Sequence, residues 1–289
     1  MTFLKKTLPV FVSLFIVVAA HVSAAQKEEK EIVFAISLMT TPVSTLSSYN
    51  DFIEYLSEKT GTKIILKQRR KYAEINSMLK SGEAQFAFTC TGAFLDGRRD
   101  FGLELLAVPV INGKTTYNSY VIVNQKSNIQ NFQGLEGKIF AFTDPLSLTG
   151  RLYPLYLLHT MGLEPERFFG KTFYTSSHEK SIKSVANGLA DGAAVDSLIF
   201  ENMVREENPA VKKLRIINVS PPYGIPPVVT SPMTDKSTKQ FFLKALIKMA
   251  DDPVGKKILG GIQIEKFILP NPSIYYSAVK LSKTITVSP

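Results

Sequence analysis

The 289-residue sequence contains no tryptophan, three histidines and a single cysteine. With only Cys90 present, no disulfide can form within the chain, so a small fold held together by disulfides is excluded. Cys90 closes the apolar run 86–90, which indicates a small buried side chain rather than an exposed nucleophile. The chain must therefore be stabilised by an ordinary hydrophobic core, and it is long enough to form one.

After the amino terminus, the sequence has no apolar run that approaches the roughly 20 residues needed to cross a bilayer. Residues 8–20 are almost wholly apolar, follow Lys5 and Lys6, and precede the small residues Val22-Ser23-Ala24. This order is typical of a cleaved signal peptide. The sequence therefore predicts a signal peptide over residues 1–24 and export to a periplasm. An uncleaved N-terminal anchor is the alternative.

Acidic residues are in the minority, with 25 Asp and Glu against 34 Lys and Arg, and the formal net charge is +9. The positive charge is scattered except in the run 67–71. A basic chain often binds nucleic acid, but export argues against that partner and we predict none. A mildly positive field would instead raise the local concentration of an anionic ligand.

Short apolar strands alternate with amphipathic helices in two successive runs. In the first run, the pattern predicts strands at 32–36, 63–67 and 85–89, and helices at 48–59 and 72–80. In the second run, it predicts strands at 120–123, 139–142, 192–195 and 214–219, and helices at 150–161, 178–187 and 198–205. Such alternation is typical of an α/β fold whose sheets are mostly parallel and flanked by helices.

The restart of the pattern predicts two lobes. We expect residues 25–118 and 222–289 to form the first lobe and residues 119–221 to form the second. The two crossings, near 117–120 and 218–222, would form a two-strand hinge. In such proteins a ligand binds in the cleft, at the carboxyl ends of the strands.

A polar turn at residues 144–150 joins a predicted strand to a predicted helix. A helix start presents free backbone N–H groups and the positive end of the helix dipole, which together attract anions. Ser147 and Thr149 add hydroxyl donors, and Gly150 allows the backbone to approach a ligand closely. The turn predicts a site for a tetrahedral oxyanion. Plain helix capping by Ser147 or Thr149 explains the same residues equally well.

The turn also resembles a signature of the periplasmic phosphate-, phosphite- and phosphonate-binding proteins of ABC importers, Asp-Pro-x-Ser-Thr-Ser-Gly-x-Leu-x-Pro. The positions that match are Asp144, Pro145, Ser147, Gly150, Leu152 and Pro154. Segments 135–138, 177–179, 185–194 and 214–222 resemble further family segments in the same order. The resemblance implies a type II periplasmic-binding fold and a small oxyanion ligand. It also implies an inner-membrane permease and its ATPase as partners, and we expect a monomer.

Carried over by position, the resemblance implies a ligand site formed by residues of both lobes: Tyr72, Ser147, the backbone of Leu148, Thr149 and His178. Thr91, Phe94 and Asp196, which lies just past the end of the strand predicted at 192–195, are further candidate ligand-binding residues. Phe94 stands where the family has a tyrosine, and Leu148 where it has a hydroxyl. Leu198 and Pro226 stand where binders of aminoalkylphosphonates carry acids. Because a buried ammonium without a carboxylate is costly, an amino-bearing ligand is not favoured.

For two of these residues the sequence leaves two interpretations open. Asp196 could accept a proton from a P–OH group of the ligand, which sulfate does not carry at neutral pH, or it could only cap the helix that follows. His178 could donate to an anionic oxygen and respond to its charge, or it could lie at a helix start without touching a ligand.

An enzyme and a sensor are the other functions to consider. The sequence has no His-Glu-x-x-His and no Gly-x-Ser-x-Gly motif, and His159 lies in an apolar predicted helix. We therefore predict no catalytic residue, no metal site and no cofactor. A sensor that presents the same ligand to a membrane receptor would share every feature described above.

Overall fold

The computed structural model describes residues 31–37 and 42–286, with only the backbone given for residues 42–48 and Thr286. The predicted signal peptide lies outside these residues. Within them, the strands are β1 (Ile32–Ser37), β2 (Ile64–Arg69), β3 (Phe86–Phe88), β4 (Glu104–Val110), β5 (Thr116–Tyr117), β6 (Ser119–Asn124), β7 (Ile139–Phe142), β8 (Lys171–Tyr174), β9 (Gly192–Asp196), β10 (Leu214–Val219), β11 (Tyr223–Gly224), β12 (Val228–Thr230) and β13 (Lys266–Ile268).

The α-helices alternate with these strands, as the sequence pattern predicts. They are α1 (Pro42–Thr60), α2 (Tyr72–Ser81), α3 (Thr91–Phe101), α4 (Tyr153–Thr160), α5 (Pro165–Phe168), α6 (His178–Ala186), α7 (Ser197–Arg205), α8 (Lys236–Lys248), α9 (Pro253–Gly261) and α10 (Tyr276–Thr286). No helix in the described ranges is both long enough and apolar enough to cross a membrane.

Two sheets define the two lobes. The first sheet has the strand order β13-β4-β12-β3-β1-β2, and the second has the order β10-β6-β9-β7-β8. In the first sheet β1, β2, β3 and β4 run in one direction, because β12 is antiparallel to both β3 and β4. In the second sheet β7, β8, β9 and β10 run in one direction and β6 opposes them. The predicted two-lobed α/β fold is confirmed. The sheets, however, are mixed rather than mostly parallel, because β6, β12 and β13 oppose their neighbours. Among the described strands of the two sheets, four pairs are parallel and five are antiparallel.

Aromatic side chains fill the core of the first lobe. The ring of Phe242 on α8 stacks on Phe86 at 3.9 Å between centroids, and on Phe34 at 5.9 Å. All three are fully buried. A larger apolar cluster continues from the first lobe into the second, since it includes Ile75 and Leu79 of α2 together with Phe140 of β7. The two lobes are therefore packed against each other.

The hinge is a short strand pair between the lobes. Strand β5 pairs with β11, so that Tyr117 lies opposite Tyr223. Next to this pair, the Asn118 side chain donates to the carbonyl of Ser220 at 2.7 Å, and the Ser220 hydroxyl accepts from the N–H of Ser119 at 2.8 Å. The two-strand hinge is confirmed, whereas the lobe boundaries at 118/119 and 221/222 stay a prediction.

Two helices differ from their predicted bounds. Helix α1 begins at Pro42, six residues before the predicted start at Ser48, because proline is favoured in the first turn of a helix. The single helix predicted over 150–161 is instead a π-helical turn, Leu148–Leu152, followed by α4. Pro154 has no N–H to donate to the carbonyl of Gly150. That carbonyl accepts from the N–H of Thr143 at 3.2 Å instead.

Candidate ligand-binding site

The turn between β7 and α4 is held from three sides. The Ser147 hydroxyl accepts from the N–H of Gly150 at 2.9 Å, so Ser147 does cap the π-helical turn. The carbonyl of Thr149 accepts from the Ser119 hydroxyl at 2.7 Å. A β-carbon on Gly150 would lie 2.4 Å from the Thr143 hydroxyl, so only glycine fits there. The turn is thus rigid, as a site for an ion must be.

The side chain of Thr149 is the part of the turn that is free to bind a ligand, and it is fully buried. Its hydroxyl is buried and has no hydrogen-bond partner. Because buried hydroxyls in proteins are almost always paired, this one is available to a ligand oxygen.

His178 is the first residue of α6 and is fully buried. Its Nδ1 accepts from the N–H of Asp196 at 3.1 Å, which places the ring proton on Nε2. Nε2 lies 3.5 Å from the Ser147 hydroxyl, so it faces the turn. Burial lowers the pKa of His178 to about 3. The imidazole is therefore a neutral donor in the ligand-free protein.

Two tyrosines place their phenol groups in the same part of the cleft. Tyr72 begins α2 in the first lobe, and Tyr117 lies in hinge strand β5. Both hydroxyls are buried without a hydrogen-bond partner. Burial raises the pKa of both phenols, and nearby Cys90 and Asp196 raise it further. The shared neighbours place the two phenols beside each other in the cleft.

Asp196 ends β9 and is fully buried. Its carboxylate accepts from the N–H of Leu198 at 2.7 Å, so it does cap α7. Burial raises the pKa of Asp196 to about 7, although the N–H groups of Leu198 and Ile199 act in the opposite direction. Asp196 is both a helix cap and a neighbour of the two phenols.

Contacts across the cleft hold the lobes together around these groups. The N–H of Tyr72 donates to the Asp144 carboxylate at 3.3 Å. Gly92 on α3 lies so close to the turn that a β-carbon there would be 2.1 Å from the carbonyl oxygen of Leu146. The lobes are closed, and the turn of the second lobe touches the helix starts of the first.

Two predicted site residues have other surroundings, and a third, Thr91, lies at the edge of the site. The Thr91 hydroxyl donates to the carbonyl of Gly224 at 2.8 Å, which ties α3 to the hinge. It also lies beside the Tyr117 phenol, where it opposes the rise in pKa that burial causes. Phe94 packs edge-on against Tyr275, with 5.2 Å between ring centroids. The Leu148 side chain is fully buried in the apolar cluster shared by both lobes, and its backbone N–H, the predicted ligand contact, faces the Cys90 thiol. The remaining five predicted residues are brought together: Tyr72, Ser147, Thr149, His178 and Asp196.

Three residues of this region were missed by the sequence reasoning as parts of the site. The sequence places Tyr117 in a predicted crossing and Asp144 at the start of the turn, and it gives no signal for Gly92. The signal for Tyr117 was its place in a predicted crossing, because a crossing strand lines the cleft that it spans.

The site offers several donors and two buried acids, Asp144 and Asp196. The donors are three hydroxyls and a neutral imidazole. Within the described residues, no cluster of three or more His, Cys, Asp or Glu could hold a metal ion. Converging uncharged donors suit a compact anion with several oxygens.

Two α/β lobes that close on a buried polar site across a two-strand hinge define a bilobal solute-binding protein. Residues 34–275 match the sequence model of the family described as ABC transporter, phosphonate, periplasmic substrate-binding protein. The chain belongs to this family.

Two solved structures share the fold over nearly the whole chain. A binding protein component of an ABC phosphonate transporter from Pseudomonas aeruginosa superposes with a TM-score of 0.84 at 22% identity, covering 90% of this chain and 87% of that one. A Prochlorococcus marinus (MIT 9301) protein in complex with methylphosphonate superposes with a TM-score of 0.80 at 17% identity, covering 89% and 99%.

A curated relative gives a shorter match. The probable ABC transporter phosphite-binding protein of the same Prochlorococcus marinus strain is 30% identical over 127 residues. The matched segment covers 44% of this chain and 41% of that relative, so the chain spans about two-fifths of its length in the alignment.

Proposed function

We propose that this protein captures a small phosphorus oxyanion outside the inner membrane and delivers it to an ABC permease driven by its ATPase. One observation carries the proposal: the neighbouring phenols of Tyr72 and Tyr117 and the hydroxyl of Thr149 in the turn are buried without hydrogen-bond partners. An unpaired buried hydroxyl costs about 1–3 kcal/mol. An anion with several oxygens would satisfy all three hydroxyls at once.

The site binds an ion and does not transform it. The groups that meet in the cleft are donors, and the His178 imidazole already uses Nδ1 as an acceptor, so it is not free to take a proton there. Serine and histidine do meet, at Ser147 and His178, but the Ser147 hydroxyl accepts from a backbone N–H as a helix cap. We infer a transport protein that acts as a monomer, without a cofactor and without nucleic acid.

Asp196 selects for an ion that carries a proton. A carboxyl beside an oxyanion is repulsive when it is ionised, and favourable when a proton lies between the two groups. Because the pKa of Asp196 is about 7, its carboxyl is increasingly ionised above neutral pH. In that form it disfavours sulfate, which brings no proton at neutral pH, and favours a phosphite, phosphate or phosphonate that still carries one.

A calorimetric screen tests the proposal. The purified protein would be titrated with phosphate, phosphite, methylphosphonate and, as the control anion, sulfate. We expect at least one phosphorus oxyanion to bind and sulfate to bind far more weakly. If none of the phosphorus oxyanions binds, or if sulfate binds as tightly as they do, the proposed function is wrong.

The importer role is separable from a sensor role. A strain that lacks the gene should fail to grow on the bound ligand as its sole phosphorus source. Unchanged growth, together with a lost transcriptional response to the ligand, would identify a sensor instead.

A further inference from the structure

The basic run at residues 67–71 leads from β2 to one edge of the cleft. Its first two cations share an acid, since the ammonium of Lys67 lies 3.0 Å from the Glu83 carboxylate and the guanidinium of Arg69 lies 3.7 Å from it. One carboxylate thus faces two cations, and part of the positive charge is neutralised there.

The last two cations of the run, Arg70 and Lys71, lie between the carboxyl end of β2 and the start of α2, where the cleft begins. Both are exposed. Glu74 accepts from the backbone N–H of Lys71 at 2.9 Å and offsets one of the two charges. Among the described residues, neither Arg70 nor Lys71 forms an ion pair. This edge of the first lobe therefore carries a net positive charge.

The second lobe places Arg151 at the same edge. Arg151 belongs to the π-helical turn, and its guanidinium donates to the Tyr174 hydroxyl at 2.7 Å and to the carbonyl of Pro145 at 3.2 Å. Both acceptors are uncharged, so they fix the guanidinium in place without neutralising it. Because Pro145 directly follows Asp144, Arg151 lies next to the contact between the lobes.

Asp144 is the acid near both cations. Its carboxylate accepts across the cleft from the N–H of Tyr72, the residue after Lys71, at 3.3 Å. Burial raises the pKa of Asp144, and the N–H groups of Leu146 and Tyr72 and the charges of Lys71 and Arg151 act in the opposite direction. Lys71 and Arg151 come from opposite lobes and together form the cationic edge of the cleft. When the lobes part, Lys71 moves away from Asp144 and its charge is compensated less.

The cleft has the opposite charge where it extends past Asp196. A cavity of about 310 Å³ lies there between the lobes. Among the described residues, its lining includes the acids Glu179, Glu201 and Glu206 but only Arg205 as a cation. An anion that approaches from this side is repelled, so the cationic edge is its favourable entrance.

We propose that Lys71 and Arg151 attract the oxyanion into the open cleft and increase its rate of association, without holding it once the lobes have closed. The inference rests on the proposed function, since it requires an anionic ligand. Charge at the entrance of a cleft raises the association rate constant of an oppositely charged ligand, and the effect falls steeply with ionic strength. Opening strengthens the attraction, because Asp144 then compensates Lys71 less. After closure the buried hydroxyls bind the ion instead.

Stopped-flow kinetics tests the inference. The chain has 11 tyrosines and no tryptophan, and Tyr72 and Tyr117 lie in the site. Tyrosine fluorescence can therefore follow the binding of phosphate, phosphite and methylphosphonate. Measurements at pH values where these anions are largely divalent, over a range of salt concentrations, give the association and dissociation rate constants.

The variants Lys71→Gln and Arg151→Gln should each slow association. A unit charge ~7–10 Å from the path of a divalent anion changes the local concentration of that anion roughly three- to five-fold at low salt. Each variant should lower the association rate constant by about that factor at ~10 mM salt, and by less than about two-fold at ~0.5 M, where the charges are screened. The dissociation rate constant should change less than the association rate constant does.

Two controls separate charge from structure. Arg151→Lys keeps the charge but not the paired hydrogen bonds to Tyr174 and Pro145, so its association rate constant should stay near that of the wild type. Lys126→Gln also removes one positive charge, but at the far end of the second lobe, because Lys126 follows the end of β6 that points away from the hinge. It should associate as the wild type does.

The outcomes distinguish this inference from the function on which it rests. The inference is wrong if Lys71→Gln and Arg151→Gln associate at the wild-type rate at low salt, or if they raise the Kd only through faster dissociation. It is also wrong if Arg151→Lys is as slow as Arg151→Gln. The oxyanion site stands in each of these cases. If none of the three anions binds the wild type, the proposed function itself fails, and this inference fails with it.

Discussion

At the scale of single residues, the unpaired hydroxyls destabilise the closed protein when no ligand is bound. Each of Tyr72, Tyr117 and Thr149 has lost its hydrogen bond to water without gaining one from protein. A group held in this way reduces stability before binding and increases affinity after it. The two effects have opposite signs, so a single substitution can separate a ligand-binding hydroxyl from a structural one.

Tyr117→Phe is the substitution that separates these two roles most clearly. A hydrogen bond to a charged group contributes about 1.5–3 kcal/mol, so the Kd should rise roughly ten- to a hundred-fold. The ligand-free unfolding temperature should stay the same or rise, because the unpaired hydroxyl is gone. Calorimetry of binding and of unfolding measures both effects.

Tyr275→Phe is the control for this substitution. The Tyr275 hydroxyl is also buried, but it donates to the carbonyl of Ile225 at 3.0 Å. Its removal should lower the unfolding temperature and change the Kd less than Tyr117→Phe does. If Tyr117→Phe instead lowers the unfolding temperature and leaves the Kd unchanged, its hydroxyl is structural.

Asp196→Asn tests the buried acid through pH. Because the folded pKa of Asp196 is about 7 against an ordinary 3.8, its contribution to stability is complete below pH ~4 and is lost as pH rises towards ~7. Asparagine keeps the helix cap but does not titrate. Relative to the wild type, the variant should therefore gain free energy of unfolding between pH 4.5 and pH 8, by up to about 3 kcal/mol.

Comparison with the wild type removes the contribution of His178. The lowered pKa of His178 makes stability rise with pH between about 3 and 6.5, but both proteins share that effect. Chemical denaturation at the two pH values measures the difference. A difference between variant and wild type that does not depend on pH would show that Asp196 is ionised throughout this range.

At the scale of helices and turns, closure depends on how closely α3 approaches the turn at 144–150. Gly92→Ala should block closure, because its β-carbon would lie 2.1 Å from the Leu146 carbonyl oxygen and 2.8 Å from the Leu148 nitrogen. Both atoms belong to the opposite lobe, so each lobe should still fold. Alanine even favours the helix by ~1 kcal/mol. The Kd should rise at least ten-fold, since the bound ion needs contacts from both lobes.

Small-angle scattering gives the second readout of this substitution. With ligand at saturating concentration, the radius of gyration of Gly92→Ala should exceed that of the wild type. Gly260→Ala is the control, because no atom lies within 4 Å of the added β-carbon. If Gly92→Ala binds and compacts as the wild type does, closure does not depend on this contact.

Most of these helices and strands were predictable from local pattern. The buried strands of both sheets and the helix starts at Tyr72 and His178 follow from hydrophobic period and from capping residues. The π-helical turn at Leu148–Leu152 was not predictable in the same way. Pro154 signals that a helical hydrogen bond is missing, but the donor that replaces it, Thr143, comes from the preceding strand.

At the scale of the whole molecule, two lobes and a hinge follow from the order of elements, because the βαβ pattern restarts after the first unit. The fit between the lobes does not follow from that order. The contacts of Tyr72 with Asp144 and of Gly92 with Leu146 join residues more than fifty positions apart. Local pattern carries no information on such pairs, so the role of Tyr117 and the cavity beside Asp196 required the structure.

The chemistry of the cleft also determines how the ion can leave. No lysine or arginine contributes to the shifted pKa values of Tyr72, Tyr117, His178 or Asp196. Lys71 and Arg151 lie near Asp144 at the edge of the site and oppose the rise in its pKa that burial causes, so some positive charge remains there when the lobes part. In the proposed function the direct contacts to the ion are dipoles, whose attraction fades over a shorter distance than that of a fixed charge. Opening of the lobes would separate the donors of Tyr72 and Thr149 and so weaken binding of the ion.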